Sequence, residues 1–185
     1  MDRIGVISDT HGDQGAWEQA LAGPFAGAAL ILHAGDLLYH GPRNPMPSHY
    51  GPAGLAHALN QSPVPVVIAR GNCDSDVDQL AIDWPIQAPY AFVQYEGLRL
   101  LVNHGDGLSR EQMIEMGQRF RVQFFICGHT HECQLETVGD LTLFNPGSPS
   151  LPKRAFAGVL VPTVAVIEDG VARMIDLRTG EQIAA

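Results

Sequence analysis

Some residue types in this chain can do chemistry, and their positions repeat a pattern. Asp9-Thr10-His11 follows the apolar run Ile4-Gly5-Val6-Ile7-Ser8. Asp36 follows Leu30-Ile31-Leu32-His33-Ala34-Gly35, and Asn72-Cys73-Asp74 follows Val66-Val67-Ile68-Ala69-Arg70-Gly71. His104-Gly105-Asp106 follows Leu100-Leu101-Val102-Asn103, and His129-Thr130-His131 follows Phe124-Phe125-Ile126-Cys127-Gly128. Each β-like run thus ends in oxygen or imidazole groups. In an extended segment residues i and i+2 point the same way. Asp9 and His11 are therefore expected to reach one centre together, as are His129 and His131. Two imidazoles facing one way among acids are most simply explained by metal coordination. Asp, Asn and His without thiolate ligands suit divalent Mn, Fe, Ni or Zn. More ligands are on offer than the ~4 of a closed structural site. That surplus fits two metals sharing a carboxylate. Taken singly the motifs are weak, because Asp-x-His, Gly-Asp and Gly-Asn-x-Asp all occur in ordinary turns. Their serial recurrence after β-like runs carries the argument.

The elements that must position these groups are legible in outline. Strands are expected at 3–8, 28–35, 63–72 and 122–128, and helices at 13–23, 52–60 and 109–119. Pro52 opens the second helix. Ser109 and Gln112 form a capping-box pattern for the third. Residues 89–105 read as a hairpin turning at Glu96-Gly97, 133–147 as one turning at Gly139-Asp140, and 158–177 as an exposed terminal hairpin turning at Asp169-Gly170. The first half alternates strand and helix, which favours parallel pairing, and the second half adds hairpins. A layered α/β fold follows, with buried strands and ligands at their carboxyl edge. Residues 39–54 hold prolines and no periodicity, and are a candidate lid or binding loop.

Composition narrows the class. The chain has 185 residues, 45% of them hydrophobic and 17% charged, as in one ordinary globular domain spanning 1–185. A net charge of −9 argues against stable nucleic-acid binding or attraction to an acidic membrane. No apolar run is long enough to span a bilayer. The start lacks the features of a signal peptide. The 3 cysteines, Cys73, Cys127 and Cys133, form no CxxC pair. A disulfide framework is not expected, and a cytoplasmic location is.

With these motifs in order, the sequence resembles the calcineurin-like metallophosphoesterase superfamily. The segments His40-Gly41-Pro42-Arg43-Asn44, Arg70 to Asp74 and Phe144 to Ser148 resemble the small single-domain bacterial and archaeal phosphodiesterases of the YfcE type. The resemblance implies a four-layer α/β/β/α sandwich with two central mixed β-sheets. It implies a dinuclear site in which Asp9, His11, Asp36 and His131 hold one ion. Asp36, Asn72, His104 and His129 hold the other, with Asp36 bridging. Manganese is the expected ion, with Zn²⁺, Fe²⁺, Ni²⁺ or Mg²⁺ as alternatives. The implied activity is hydrolysis of a small phosphodiester by attack of a metal-activated hydroxide. A phosphomonoesterase or nucleotide hydrolase is the alternative within enzymes. A non-catalytic scaffold subunit is the alternative outside them. A homo-oligomer, dimer or tetramer, is implied as well.

One departure stands out. Much of that superfamily carries His where Cys73 stands, a residue that contacts phosphate and serves as a proton donor. A thiol is a poorer donor near neutrality. His40 in the Pro-rich loop is a candidate replacement, Asp74 a candidate for orienting a neighbouring ligand, and Arg43 a candidate phosphate contact. A solvated loop charge is the alternative reading of Arg43. Arg70 fits an ion pair as well as a phosphate contact. Lys153-Arg154 could border the site but reads better as a surface turn, His33 as a core residue near the site, and His49 and His57 as surface residues. Cys127, Trp17 and Trp84 read as packing residues.

Overall fold

The computed structural model describes residues 2–184. Its first half alternates strand and helix: β1 (Arg3–Ile7), α1 (Gln14–Ala22), β2 (Ala28–His33), α2 (Pro52–Asn60), β3 (Val66–Ala69), α3 (Asp78–Ala81) and β4 (Ile86–Gln87). Then come β5 (Ala91–Tyr95), β6 (Leu98–Val102), α4 (Arg110–Phe120), β7 (Phe124–Ile126), β8 (Gln134–Val138) and β9 (Leu141–Asn145). The chain closes with β10 (Ala155–Phe156), β11 (Val159–Leu160), β12 (Thr163–Glu168), β13 (Val171–Asp176) and β14 (Gln182–Ile183). The helix starts follow local chemistry. The Asp13 carboxylate accepts the Ala16 N–H and caps α1, Pro52 opens α2, and Ser109 with Gln112 completes the capping box of α4.

Two mixed sheets form the centre. One runs β14-β13-β12-β1-β2-β3-β4 and the other β5-β6-β7-β9-β8. Strands β1 to β4 are mutually parallel, and so are β6, β7 and β9. Period-two alternation sorts the side chains into layers. Ile4 and Val6 of β1 face Val102, Phe124, Ile126 and Phe144 in the space between the sheets. Ile7 instead meets Trp17, Leu55 and Leu59 under α1 and α2. In β7, Phe125 turns outward to Leu101, Leu143 and α4. The result is the expected α/β/β/α sandwich. Each fully buried large side chain contributes about 1.5–3 kcal/mol.

Register then decides where chemistry can occur. Ile7 pairs with His33 and His33 with Ile68, so β1, β2 and β3 end level. Val102 pairs with Ile126 in the second sheet. The turns after these strands therefore emerge on one rim. Gly128 joins the two sheets there. A Cβ on it would lie 2.0 Å from Ser8 Oγ and 2.8 Å from Asp9 Oδ2.

Two expectations need correction. The terminal hairpin is β12–β13, and Val159–Leu160 pairs with β10 instead of extending it. Only its turn is exposed: β12 lies between β1 and β13 with residues 163–167 buried, while Val171 after the turn stays exposed. Most of its apolar residues fill the core, which weakens the hairpin as an argument for an oligomer. The short elements α3, β4, β10 and β14 escaped the sequence reading, because segments of two to four residues carry no periodicity. The Pro-rich loop borders the candidate site through residues 41–44, and its far end is tied down. Gly51 N donates to Gly12 O at 2.8 Å, and Asp13 bridges Tyr50.

Gly128→Ala is expected to cost about 1–3 kcal/mol through overpacking at the sheet junction. Urea unfolding measures this, and unchanged stability would contradict the close approach.

Candidate metal centre

The turns on the rim are stitched together before any side chain is considered. Asp9 N donates to Gly35 O at 2.9 Å, His11 N to Asp36 O at 3.0 Å, and Gly128 N to His104 O at 2.9 Å. Asp74 fastens two further turns. Its carboxylate accepts from the backbone N–H of Asp36 (2.9 Å), Leu37 (2.7 Å) and Gly71 (2.7 Å). Burial pushes its carboxyl up to about 6, against the pull of those donors. Asp36 Oδ1 accepts from Cys73 N at 2.8 Å, and Asp9 Oδ2 from His129 N at 3.0 Å. Ser148 and Ser150 hydroxyls hold Asp9 O at 2.8 and 2.9 Å, while Asn145 Nδ2 donates to Gly128 O at 2.6 Å. Sequence reading noticed the Asn-Pro-Gly-Ser segment only for its resemblance. Its hydrogen-bonding role has no signal short of the folded register.

These turns place Asp9, His11, Asp36, His104 and His131 in one buried cluster. The imidazoles share one orientation. Nδ1 of His11, His104 and His131 lies 2.7, 2.7 and 2.8 Å from the carbonyls of Tyr39, Ala34 and Leu151. A carbonyl can only accept, so each Nδ1 carries hydrogen and each Nε2 faces the carboxylates. Asp9 Oδ1 lies 3.3 Å from His131 Nε2, 3.7 Å from His11 Nε2 and 4.0 Å from His104 Nε2. It is buried and makes no hydrogen bond. His11 Nε2 and His131 Nε2 are 3.0 Å apart. The ligand atoms of Asp9, His11 and His131 lie within 4.8 Å of one another, as do those of Asp9, Asp36 and His104. An orphaned buried oxygen facing convergent ring nitrogens is a donor set that fits divalent cations.

The electrostatics agree. Burial alone would raise the Asp36 carboxyl, yet the His104 hydrogen bond, its charge and the Cys73 N–H hold it well below the ordinary range. Burial also opposes ionisation of Asp9, and His131 and His104 outweigh it. Burial would lower His104, but Asp36, Asp9 and the Ala34 carbonyl push it up to about 9. The two carboxylates thus demand positive charge in their midst.

The structure corrects the expected local geometry. Asp9, His11, His129 and His131 are not in extended segments: their φ angles are 55°, 47°, 67° and 62°, and Asp36 has 58°. At 129–131 the left-handed backbone fans the two imidazoles apart, whereas Asp9 and His11 converge as expected, with Asp9 Oδ1 3.7 Å from His11 Nε2. His131 reaches His11, whereas the exposed His129 stands beside His104 with ring centroids 5.3 Å apart. Asn72 Oδ1 sits 3.1 Å from His104 Nε2. Cys73, His11 and Asp36 form a further group with ligand atoms within 4.8 Å. Burial, with the charges of Asp36 and Asp74, pushes the Cys73 thiol up to about 12.

A cavity of about 410 Å³ opens above, lined by Asp36, Asn72, Cys73, His129, His131, Arg43, Asn44 and Lys153. Lys153 is exposed, and it also borders this cavity, with its backbone N–H donating to His131 O at 3.1 Å. Arg154 turns away onto Phe156. His40 packs against Tyr39 and Tyr50 and is not on the cavity wall. Arg70 pairs with Asp76 at 3.1 Å and binds Asp74 O. His33 is fully buried, accepting from Gly35 N and bonding Thr10 Oγ1.

A carboxylate–imidazole cage at the carboxyl edge of a double-sheet sandwich defines the metallophosphoesterase class. This chain belongs to the calcineurin-like phosphoesterase superfamily, whose domain description matches residues 2–168. It is 41% identical over 155 residues to phosphodiesterase YfcE of Escherichia coli strain K12, covering 83% of this chain and 82% of that one. The solved structure of the E. coli phosphoesterase Yfce superposes with a TM-score of 0.84 at 35% identity, over 98% of this chain and 97% of that one. Vacuolar protein sorting 29 from Cryptosporidium parvum shares the fold, with a TM-score of 0.69 at 18% identity, over 100% and 95% of the two chains. The metal dependence of the class is consistent with the cage. Among the described residues no helix is long and apolar enough to cross a membrane.

His33 makes the site's surroundings pH-sensitive. Burial pulls its imidazole from 6.5 down to about 3. Between those values the unfolded chain binds a proton that the folded chain does not. Stability should therefore fall as pH drops through that window, by about 1.4 kcal/mol per pH unit at most. His33→Gln should flatten this slope in urea unfolding series, and equal slopes would refute the assignment.

Proposed function

We propose that the chain is a divalent-metal-dependent phosphodiesterase acting on small phosphodiesters. The carrying observation is the buried Asp9–Asp36 pair enclosed by inward-facing Nε2 atoms. Asp9, His11, Asp36 and His131 would hold one ion, and Asp36, Asn72, His104 and His129 a second, with manganese the expected metal. Bound divalent cations would lower the pKa of water and neutralise phosphoryl charge. A bridging role for Asp36 is supported by its position, 3.7 Å from His11 Nε2 through one oxygen and 3.4 Å from His104 Nε2 through the other.

The chain's own residues supply the rest. Arg43 and Lys153 stand at the mouth of the cavity and would position the phosphate anion. Asn72 offers an amide there. Asp74 does not face substrate; it holds the turns bearing Asp36 and Gly71. Cys73 lines the cavity where a proton donor would act, but its thiol holds its proton to about 12. The leaving alcohol would therefore depart with little help from this side chain, which favours esters of acidic alcohols. The YfcE relative, named a phosphodiesterase, supports a diester over a monoester. The scaffold reading gains no support, because the nominated ligands are present and five of them form the buried cluster.

Asp36→Ala should release metal, read by elemental analysis. It should also lower manganese-dependent hydrolysis of bis(p-nitrophenyl) phosphate by about a thousandfold or more. Retained activity would overturn the bridging role. Cys73→His should accelerate diesters of poor leaving groups by about tenfold or more, and activated ones much less. Equal acceleration of both would show that proton donation is not limiting.

A further inference from the structure

We propose that the cavity on the far side of His129 is a subsite for an aromatic ester arm of the substrate. This rests on the diesterase reading above and names the kind of diester. His129 is the shared wall: it borders the cationic cavity over the metal ligands and a second cavity of about 360 Å³. The second cavity lies between the turn after His104 and the turn 128–130, so both flanking turns carry nominated metal ligands. A diester whose phosphate occupied the cationic cavity would extend one ester arm past His129, the residue that both cavities share.

The chemistry of its walls selects the arm. Leu108, Met113, Cys127 and Leu143 supply an apolar surface that includes a thioether, which favours contact with a flat aromatic ring. The rim does not ask for a second anion. Arg110 is there, but Glu136 takes it: Arg110 Nε donates to Glu136 Oε2 at 2.8 Å, and a second bond joins the same two groups. Asn145 is also committed, donating to Gly128 O and Thr130 Oγ1 and accepting from Gly147 N. Charge is thus divided between the two cavities. The free cations Arg43 and Lys153 face the phosphate, and the balanced, apolar side faces a neutral group. Its volume exceeds the roughly 100–150 Å³ of a substituted benzene ring and lies within the usual range for small-ligand sites. The ligand class is a phosphodiester with at least one aryl or heteroaryl ester group.

The test uses the manganese-loaded full chain. Gln134→Trp places an indole over the rim from the exposed first residue of β8. It should raise KM for bis(p-nitrophenyl) phosphate by about tenfold, the loss of one modest apolar contact set. The inhibition constant of inorganic phosphate, which has no arm, should not change. Met113→Ala removes apolar wall from the opposite side and should raise KM about threefold. It keeps the test alive if the first variant fails to fold. Unchanged KM in a folded variant would overturn the subsite. So would a parallel weakening of phosphate, which would locate the damage at the metals. Binding of p-nitrophenol alone, read by saturation-transfer NMR, separates the subsite from the activity. Loss of that binding in Gln134→Trp supports the subsite, and equal binding overturns it. A wild-type chain that binds p-nitrophenol but hydrolyses no diester would sink the functional reading and leave the subsite standing.

Discussion

The structure depends on two buried carboxylates that share one small space. Asp9 and Asp36 are almost wholly removed from water, and an isolated ionised carboxylate in such a place is very costly. Both are nevertheless held in the anionic form by imidazoles and backbone N–H donors. Such an arrangement is stable only if positive charge lies among them. His104 supplies it with a proton, and divalent cations supply it more completely. The same requirement explains why the Nδ1 of each ring is pinned to a carbonyl. Fixing the outer nitrogen aims the inner one and sets its basicity.

Strain and support are paired around that pocket. Five nominated ligands adopt left-handed backbone angles, a conformation that costs about 1–3 kcal/mol for residues with side chains. The surrounding hydrogen bonds over-determine the turns. Asp74 receives three backbone donors, Ser148 and Ser150 hold Asp9 O, and Asn145 holds Gly128 O. Beneath them, two sheets and three apolar layers provide rigid strand ends. Rigidity matters because metal affinity and phosphoryl positioning both decline with small displacements.

Function then follows from how the rim is divided. Cations that do not stabilise the fold face the mouth, whereas Arg70 and Arg110 are consumed by Asp76 and Glu136. A net acidic protein thereby carries a local cationic edge on this cavity, which suits the anionic ester proposed above. In the proposed reaction Cys73 would be a weaker proton donor than an imidazole, because burial and the neighbouring carboxylates push its thiol up to about 12.

Much of this was already legible in residue order. Apolar runs rich in Ile and Val announced the strands, Pro52 and the Ser109-Gln112 pair announced helix starts, and polar groups after each run announced a rim site. Those signals are local and periodic, so one dimension suffices. Folding alone decided what depends on register and on unlike segments meeting. An extended chain would aim His129 and His131 alike, but positive φ angles part them, and no sequence period encodes that. Lys153 lies far along the chain from the first ligand turn, and only the backbone bond to His131 O turns its segment to the cavity. The burial of β12 likewise follows from its place beside β1, because the hairpin looks the same in sequence at an edge or in the middle. Residue types determined which chemistry was available; contact between distant strand ends determined which groups perform it.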